Sequence, residues 1–194
     1  MTRNANVSRK TKETDIEISV DLDGTGATRI DTGVGFFDHL LTSFAHHSLI
    51  DLDVRCGGDL EIDDHHSVED TAIVLGQALA EALGDRAGIQ RYGDATVPMD
   101  EAIATCAVDV GGRSYAVIDV PLRQAMIGNL STQNVPHALE ALAGSAGFTL
   151  HLSASGSNDH HVAEAAFKAL ARSLRAAVSI DDRRIGIAST KGST

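Results

Sequence analysis

The sequence contains no tryptophan, three prolines and two cysteines, and aromatic residues make up only 4% of its 194 residues. Cys56 and Cys106 are too few for a disulfide framework or a cysteine-rich zinc site, and a reducing compartment suits them. No run of about 18 apolar residues occurs, and residues 1–12 are polar and basic. We therefore expect a cytoplasmic protein with neither a signal peptide nor a membrane span.

Positive charge is also scarce. The chain has 16 Lys and Arg against 27 Asp and Glu, which gives a formal net charge of -11. Such a surface repels the phosphate backbone of DNA or RNA, so we expect no nucleic-acid partner. A hydrophobic content of 43% is enough for one well-buried unit of this length.

The same order of predicted elements occurs twice along the chain. Alternating apolar residues predict a hairpin over 14–22 and 27–31, and helical spacing predicts a short helix over 37–45, a strand over 49–54 and a long helix over 64–83. A hairpin over 102–110 and 114–122, a helix over 135–143, a strand over 148–152 and a long helix over 159–178 follow. The chain therefore predicts an α+β fold of two tandem, structurally similar repeats, approximately 1–95 and 96–194. The two halves should pack together as one unit.

A short motif at the start of each long helix carries the chemistry. Asp64, His65, His66 and Glu69 are matched by the same residue types at 159, 160, 161 and 164, an offset of 160 − 65 = 95. Histidine and glutamate four residues apart lie on one helix face and can hold one cation. The second histidine of each pair points about 100° away around the helix and must face another site.

His39 and His137 also occupy equivalent places, on the two short helices. Six histidines and two glutamates then form two metal sites, each with a His/Glu pair, the spare histidine of the opposite repeat and one short-helix histidine. Such ligands suit manganese, iron, cobalt, nickel or zinc, and an octahedral metal keeps two positions for substrate or water. Asp64 and Asp159 are interpreted as helix caps or as groups that orient a histidine, and Asp63 as a surface residue.

Several segments together resemble the imidazoleglycerol-phosphate dehydratase family. They span nearly the whole chain in the family's order: 12–14, 37–41, 63–70, 88–93, 160–169 and 189–192. The resemblance implies a ribosomal protein S5 domain 2-like α+β fold, in which each repeat is a small antiparallel-rich sheet packed on helices and residues 1–194 form a single catalytic unit. It also implies removal of water from D-erythro-imidazoleglycerol 3-phosphate to give imidazole acetol phosphate in histidine biosynthesis. A homo-oligomer of about 24 subunits, with active sites at subunit interfaces, is implied as well.

The resemblance also implies roles for individual residues. One of two Mn(2+) ions per active site takes His39, His66, His160 and Glu164, and the other takes His65, Glu69, His137 and His161. Glu13, Glu69 and Glu164 are the implied catalytic carboxylates. Substrate contacts are implied for Glu13, His39, His47, His65, Glu69, His160 and Thr190, with Arg91, Arg113, Ser189 and Lys191 at its phosphate.

The implied reaction passes through a metal-stabilised imidazolate and a diazafulvene-like intermediate, after which a base takes the carbon proton. Two other functions use the same ligands. A dinuclear metallohydrolase would activate water for ester or amide cleavage, and a non-enzymatic assembly protein would use metal only to bridge subunits. Manganese-dependent formation of a keto product separates the three hypotheses.

Overall fold

The computed structural model describes residues 3–192. The first half contains β1 (Asn4–Lys10), β2 (Thr14–Asp21), β3 (Thr28–Asp31), α1 (Gly35–Ser48), β4 (Asp51–Gly58) and α2 (His65–Leu83). The second half contains β5 (Tyr92–Met99), β6 (Ala102–Asp109), β7 (Tyr115–Asp119), β8 (Met126–Ile127), β9 (Leu130–Ser131), α3 (Asn134–Ala146), β10 (Thr149–Ser155) and α4 (Asp159–Val178). Within residues 3–192, none of the helices combines the length and the apolar character needed to cross a bilayer.

The two sheets have the same topology. Their strand orders are β1-β2-β4-β3 and β5-β6-β10-β7. In each sheet the last pair, β3 with β4 and β7 with β10, is parallel and the other pairs are antiparallel. A helix crosses over between the parallel strands, as parallel pairing requires. The predicted α+β fold of two similar repeats is confirmed.

The predicted hairpins are wrong. β2 pairs with β1 and β4, and β3 pairs with β4 alone, so β4 lies between the two strands that were expected to pair. The same holds for the glycine turn at 111–112, because β10 separates β6 from β7. Turn residues show that the chain reverses, but only the crossover helix decides which strand returns beside β2.

The outermost strands β1 and β5 lie outside the predicted elements. In β1 only Ala5 is fully buried, and in β5 only Gly93. Both strands alternate exposed residues with buried or half-buried ones, but the inward residues of each are mostly small or only half-buried, so the apolar signal in the sequence is weak. β5 spans the predicted division at 95/96 and pairs with β6 along its length. We propose that the second repeat begins with this strand.

The four helices lie between the two sheets. α2 packs on β1 and β2, and α4 packs on β5 and β6. Across the middle, the short helix of each repeat contacts the long helix of the other, α1 with α4 and α3 with α2. One apolar core joins both halves and contains the buried Phe37, Phe44 and Phe148. This crossed packing brings each short-helix histidine to the start of the opposite long helix.

Gly76 allows the close approach of α2 and α3, and its replacement by alanine tests this contact. An added Cβ would lie 2.6 Å from the Leu142 carbonyl oxygen and 2.8 Å from the Ser145 Cβ. Because α2 is held from behind by the sheet, we expect Gly76→Ala to lower the free energy of unfolding by about 1–3 kcal/mol. Urea denaturation measures the change.

Gly144 supplies the matched control. It lies on the exposed side of α3, and a Cβ there meets no atom within 4 Å. Gly144→Ala should raise the free energy of unfolding by about 0.5–1 kcal/mol, because alanine loses less backbone entropy in a helix. Equal unfolding midpoints for the two variants would contradict the packing argument.

Candidate functional site

The first cluster of candidate metal ligands lies where α1 meets the start of α4. The Glu164 Oε1 atom is 2.8 Å from His39 Nε2 and 2.9 Å from His160 Nε2. These three ligand atoms lie within 4.8 Å of one another. The ring of Phe36 packs against the His160 ring, with 4.8 Å between their centroids. Two imidazole nitrogens and a carboxylate oxygen therefore converge on one point.

Glu164 is held as an anion. Burial by itself raises the pKa of its carboxyl, but hydrogen bonds from His39, Lys168 and His160 outweigh burial and lower the pKa to about 2. The Lys168 Nζ atom is 2.5 Å from Glu164 Oε2, on the far side from the two histidines. At neutral pH the cluster therefore offers one full negative charge to a cation.

The second cluster repeats this arrangement where α3 meets the start of α2. Glu69 Oε1 is 3.0 Å from His137 Nε2, and Glu69 Oε2 is 3.3 Å from His65 Nε2. The rings of His65 and His137 are stacked, with 5.1 Å between their centroids. His137 Nε2 is buried and makes no hydrogen bond of acceptable geometry, although Glu69 is near. A nitrogen left unpaired beside a carboxylate fits a metal ion better than a hydrogen-bonded ion pair does.

His66 and His161 lie outside both clusters. His66 Nδ1 is 3.0 Å from Asp59 Oδ2, and His161 Nδ1 is 2.8 Å from Glu101 Oε2. These two carboxylates raise the pKa of the imidazoles that they contact. One chain thus brings together three members of each predicted four-ligand set, and the complete sets stay predictions. Neither Asp59 nor Glu101 was identified from the sequence.

A cationic cavity of about 770 Å³ lies apart from the clusters. The four residues predicted to contact phosphate all line it, and so do the predicted substrate contact Thr190 and Arg184, which the sequence did not single out. The four are Arg91, Arg113, Ser189 and Lys191. Guanidinium forks, a hydroxyl and an ammonium group are the donors that bind phosphate in proteins.

Arg91 is fixed at the wall of this cavity. Its Nε and Nη2 atoms donate to the two carboxylate oxygens of Asp109, at 2.7 and 2.9 Å, and its Nη1 donates to the Ala188 carbonyl at 2.6 Å. A guanidinium has five N–H groups, so one on Nη1 and one on Nη2 stay available for an anion. Arg91 is therefore already oriented and also holds the C-terminal segment in place.

The cavity and the clusters lie far apart within one chain. The Arg91 backbone N–H donates to the carbonyl of Ala177 near the end of α4, whereas His160 lies at the start of that helix. Seventeen residues of α-helix separate His160 from Ala177, a length of about 25 Å. A small phosphorylated molecule cannot reach both places in a single copy of the chain.

Comparison with known proteins identifies the family. The family model described as imidazoleglycerol-phosphate dehydratase matches residues 32–174. Proteins of that name from Methanococcoides burtonii and Acidiphilium cryptum are 55% identical over 190 residues and 56% identical over 194 residues, and the matches cover 98% and 99% of both partners. This chain belongs to the imidazoleglycerol-phosphate dehydratase family. Crystal structures of the Staphylococcus aureus and Pyrococcus furiosus members align with TM-scores of 0.83 at 36% and 35% identity, over 92% and 97% of this chain and 99% and 100% of theirs.

The glutamate at position 13, which the resemblance to imidazoleglycerol-phosphate dehydratases implied as catalytic, lies in the turn between β1 and β2. The Glu13 N–H donates to Thr11 Oγ1, and its carbonyl accepts from the Asp59 N–H. The adjacent Thr14 donates to Asp70 of α2 at 2.6 Å. These contacts fix the backbone of the turn and leave the Glu13 side chain 54% exposed, with Oε1 3.9 Å from His66 Nε2.

His47, the remaining predicted substrate contact, lies in the last turn of α1, two turns beyond His39. Burial lowers the pKa of its imidazole, and the neighbouring His46, Lys168 and Arg172 lower it further against the opposite effect of Glu164. The surroundings of His47 therefore favour the neutral ring. The substrate contact itself stays a prediction.

The aspartates that open the two motifs do not make the side-chain cap hydrogen bond predicted as one of their two roles, and the other role, orienting a histidine, stays a prediction. The caps lie one residue earlier: Asp63 accepts from the His65 N–H and Asn158 from the His160 N–H. Asp63 is therefore a cap as well as a surface residue. Asp64 accepts from the backbone N–H and the hydroxyl of Ser131. Asp159 accepts instead from the N–H groups of Arg123 and Gln124. Both aspartates hold the segment between β7 and α3.

The role of Asp159 as an anchor can be tested by Asp159→Ala. Asp159 is only 2% exposed, and its carboxylate accepts hydrogen bonds from two backbone N–H groups at 2.8 and 2.7 Å. Leaving these groups unpaired should lower the free energy of unfolding by about 2 kcal/mol. It should also speed hydrogen exchange at the Arg123 and Gln124 amides, with exposed Asp182→Ala as the control. Unchanged exchange at both amides would show that Asp159 is not the anchor.

Proposed function

We propose that this chain removes water from D-erythro-imidazoleglycerol 3-phosphate to give imidazole acetol phosphate, a step of histidine biosynthesis. The observation that carries the proposal is the pairing of two equivalent His/His/Glu clusters with a cavity built for a phosphate group. A metal-bridged assembly would use the clusters but does not explain a separate cationic cavity, and a hydrolase is separated from a dehydratase by the products that form. The free thiols of Cys56 and Cys106 support a cytoplasmic location.

We further propose that two Mn(2+) ions serve each active site. Each cluster supplies three ligands, and His66 and His161 supply the fourth ligand to a cluster of a neighbouring copy. A nitrogen-rich set with one carboxylate fits manganese, which prefers six ligands and would keep two positions for substrate. The chemistry that a bound cation supplies is Lewis-acid withdrawal of electron density from the imidazole of the substrate.

The roles of the three candidate carboxylates follow from their surroundings. Glu164 is stabilised as an anion by three donors, and a pKa of about 2 makes it a weak base. Glu69 lies between the imidazoles of His65 and His137, at 3.3 and 3.0 Å. Glu13 is exposed and has no cationic side chain within hydrogen-bond distance among the described residues. We therefore propose Glu13 as the group that carries the proton at carbon, with Glu69 and Glu164 acting first as ligands.

The active site is proposed to combine several copies of the chain. About 25 Å of α4 separates the cluster at His160 from the cavity at Arg91, so phosphate and imidazole of one substrate must contact different copies. A closed homo-oligomer of about 24 subunits, as the family resemblance implies, would place such surfaces together by symmetry. The single catalytic unit predicted for residues 1–194 would then be active only within the assembly.

Anaerobic turnover with imidazoleglycerol phosphate and Mn(2+) tests the activity. The wild-type chain should form a keto product, and His65→Ala and His160→Ala should each lower kcat/KM by about 100-fold or more, because each removes a first ligand from one cluster. His151→Ala, on the exposed face of β10, is the control. A manganese-loaded wild-type protein that forms no keto product would refute the proposal.

The rival functions give different results in the same experiment. Hydrolysis of a phosphate ester without keto product would indicate a metallohydrolase. Dispersal of the assembly on chelation, with the substrate untouched before and after, would indicate a metal-dependent assembly protein.

Mixed oligomers test whether each active site is shared between copies. We expect Arg113→Ala, in the cavity, and His160→Ala, in a cluster, to be nearly inactive alone. Co-expression of the two variants with different affinity tags should restore activity, because some sites then combine an intact cavity from one parent with an intact cluster from the other. Activity no higher than that of either parent would contradict a shared site.

The control pairs two variants of one cluster, His39→Ala with His160→Ala. Both residues belong to the same three-ligand group of one chain. Every copy in this mixed oligomer therefore has a damaged cluster, and no activity should return.

A further inference from the structure

Glu13 and Glu101 occupy equivalent positions in the two repeats. Each is the residue directly before the second strand of its sheet, β2 or β6. Those strands are equivalent because the two sheets have the same strand order. Each glutamate also lies near the outward histidine of its own repeat, Glu13 near His66 and Glu101 near His161. The two carboxylates nevertheless make different contacts.

Every acceptor position of Glu101 that faces the protein is occupied. Its Oε1 accepts from the N–H groups of Ser157 and Asn158 at 3.2 and 2.7 Å, and its Oε2 contacts His161 Nδ1 at 2.8 Å. An ionised carboxylate can only accept, so the proton of this hydrogen bond belongs to Nδ1. In the neutral ring the free electron pair is then on Nε2, the atom that points away from Glu101.

Asp59 makes the corresponding contact in the first repeat. Its two carboxylate oxygens lie 3.0 and 3.2 Å from His66 Nδ1, and it follows β4 directly, on the other side of His66 from Glu13. The nearest Glu13 oxygen is 3.9 Å from the opposite ring nitrogen. The Glu13 side chain is 54% exposed, against 36% for Glu101. Because Asp59 orients His66, Glu13 is left without that role.

We propose that Asp59 and Glu101 are positioning residues, each of which holds the outward histidine of its repeat by Nδ1 and so presents Nε2 to a divalent cation. This inference rests on the proposed function in one respect, since it takes His66 and His161 as ligands supplied to a neighbouring copy. The orienting carboxylate also comes from a different place in each repeat: Asp59 follows β4, and Glu101 precedes β6. The repeat that uses Asp59 keeps a free glutamate for proton transfer, and the repeat that uses Glu101 does not.

The substitution Glu101→Gln separates orientation from folding. The Ser157 and Asn158 N–H groups both need an acceptor at the position of Oε1, and glutamine has only one side-chain oxygen. The amide therefore keeps its oxygen toward the loop and turns its NH2 toward His161. That group donates to Nδ1, so the ring proton moves to Nε2. Nε2 then has no free electron pair with which to bind the cation. The loop stays anchored while the histidine loses its function as a ligand.

Titration of the chelator-stripped, full-length protein with MnCl2 measures the consequence. We expect Glu101→Gln to weaken manganese binding tenfold or more in one of two site populations and to leave the other unchanged. Asp100→Asn is the matched control, because it makes the same charge change at the next residue. The Asp100 carboxylate is 81% exposed and 3.9 Å from His161 Nδ1, and we expect wild-type binding there.

The first repeat gives a complementary pair of variants. Asp59→Ala removes the contact with His66 and should weaken the other site population tenfold or more. Asp59→Asn should bind nearly as the wild type does, because neither oxygen of Asp59 is needed by a backbone N–H and the amide oxygen is free to face Nδ1. Exposed Glu61→Ala is the control for loss of a nearby charge.

Nitrogen-15 NMR of histidine-labelled, metal-free protein, at a pH where the rings are neutral, reads the tautomers directly. The wild-type chain should carry the His161 proton on Nδ1, and Glu101→Gln should carry it on Nε2. A wild-type His161 with its proton on Nε2, or a Glu101→Gln protein that binds both manganese populations normally, would overturn the inference. If the variants do not fold, the tautomer of His161 in the wild-type spectrum still tests the inference. Failure of wild-type turnover would refute the proposed function and leave these readings unaffected.

Discussion

Each short helix packs against the long helix of the opposite repeat, and both metal-ligand clusters depend on this crossed contact. The long helix supplies a histidine and a glutamate one turn apart, which local geometry guarantees. The third ligand, His39 or His137, arrives only because α1 lies on α4 and α3 on α2. Neither repeat could form a three-ligand cluster alone. The helix layer between the sheets is therefore both the core of the fold and the frame of the clusters, and the absence of a side chain at Gly76 lets two of its helices approach closely enough.

The features that the sequence predicts correctly are local ones. The long helix over 159–178 has the bounds that its apolar spacing predicted, and the His/Glu pairs at 65/69 and 160/164 lie together because a helix turn always brings such residues together. Strand partners could not be predicted in the same way. β4 enters between β2 and β3 only after a crossover helix, so the register depends on contacts between residues far apart in the chain. Asp59 and Glu101 could not be identified from the sequence for the same reason. Each contacts a histidine of a long helix from a position beside a strand, and local spacing does not reveal such a contact.

The net charge of -11 describes the chain as a whole and says little about the cavity. Four cationic side chains, of Arg91, Arg113, Arg184 and Lys191, line one concave surface, where a phosphate group meets several donors at once. The ion pair with Asp109 uses Nε and one N–H of Nη2, so it fixes Arg91 and leaves other N–H groups of the guanidinium available. An acidic protein can therefore bind a small anion strongly while it repels a polyanion, because the two interactions act over different distances. Screening removes most of the long-range repulsion at physiological salt, and the short contacts remain.

Duplication explains why the two clusters are alike, but the reaction needs groups that are not alike. In the proposed reaction two equivalent cations would share a substrate symmetrically, whereas one base on one side would take the carbon proton. The structure contains such an asymmetry at two places. Lys168 forms an ion pair with Glu164 one helical turn before it, whereas the residue one turn after Glu69 is the apolar Ile73. In the turns before β2 and β6, Glu101 is fully hydrogen-bonded and Glu13 is exposed. The repeats thus keep the parts that bind metal equal and differ in the carboxylates around them, as expected if metal binding constrains the ligands of both repeats and proton transfer constrains only one glutamate.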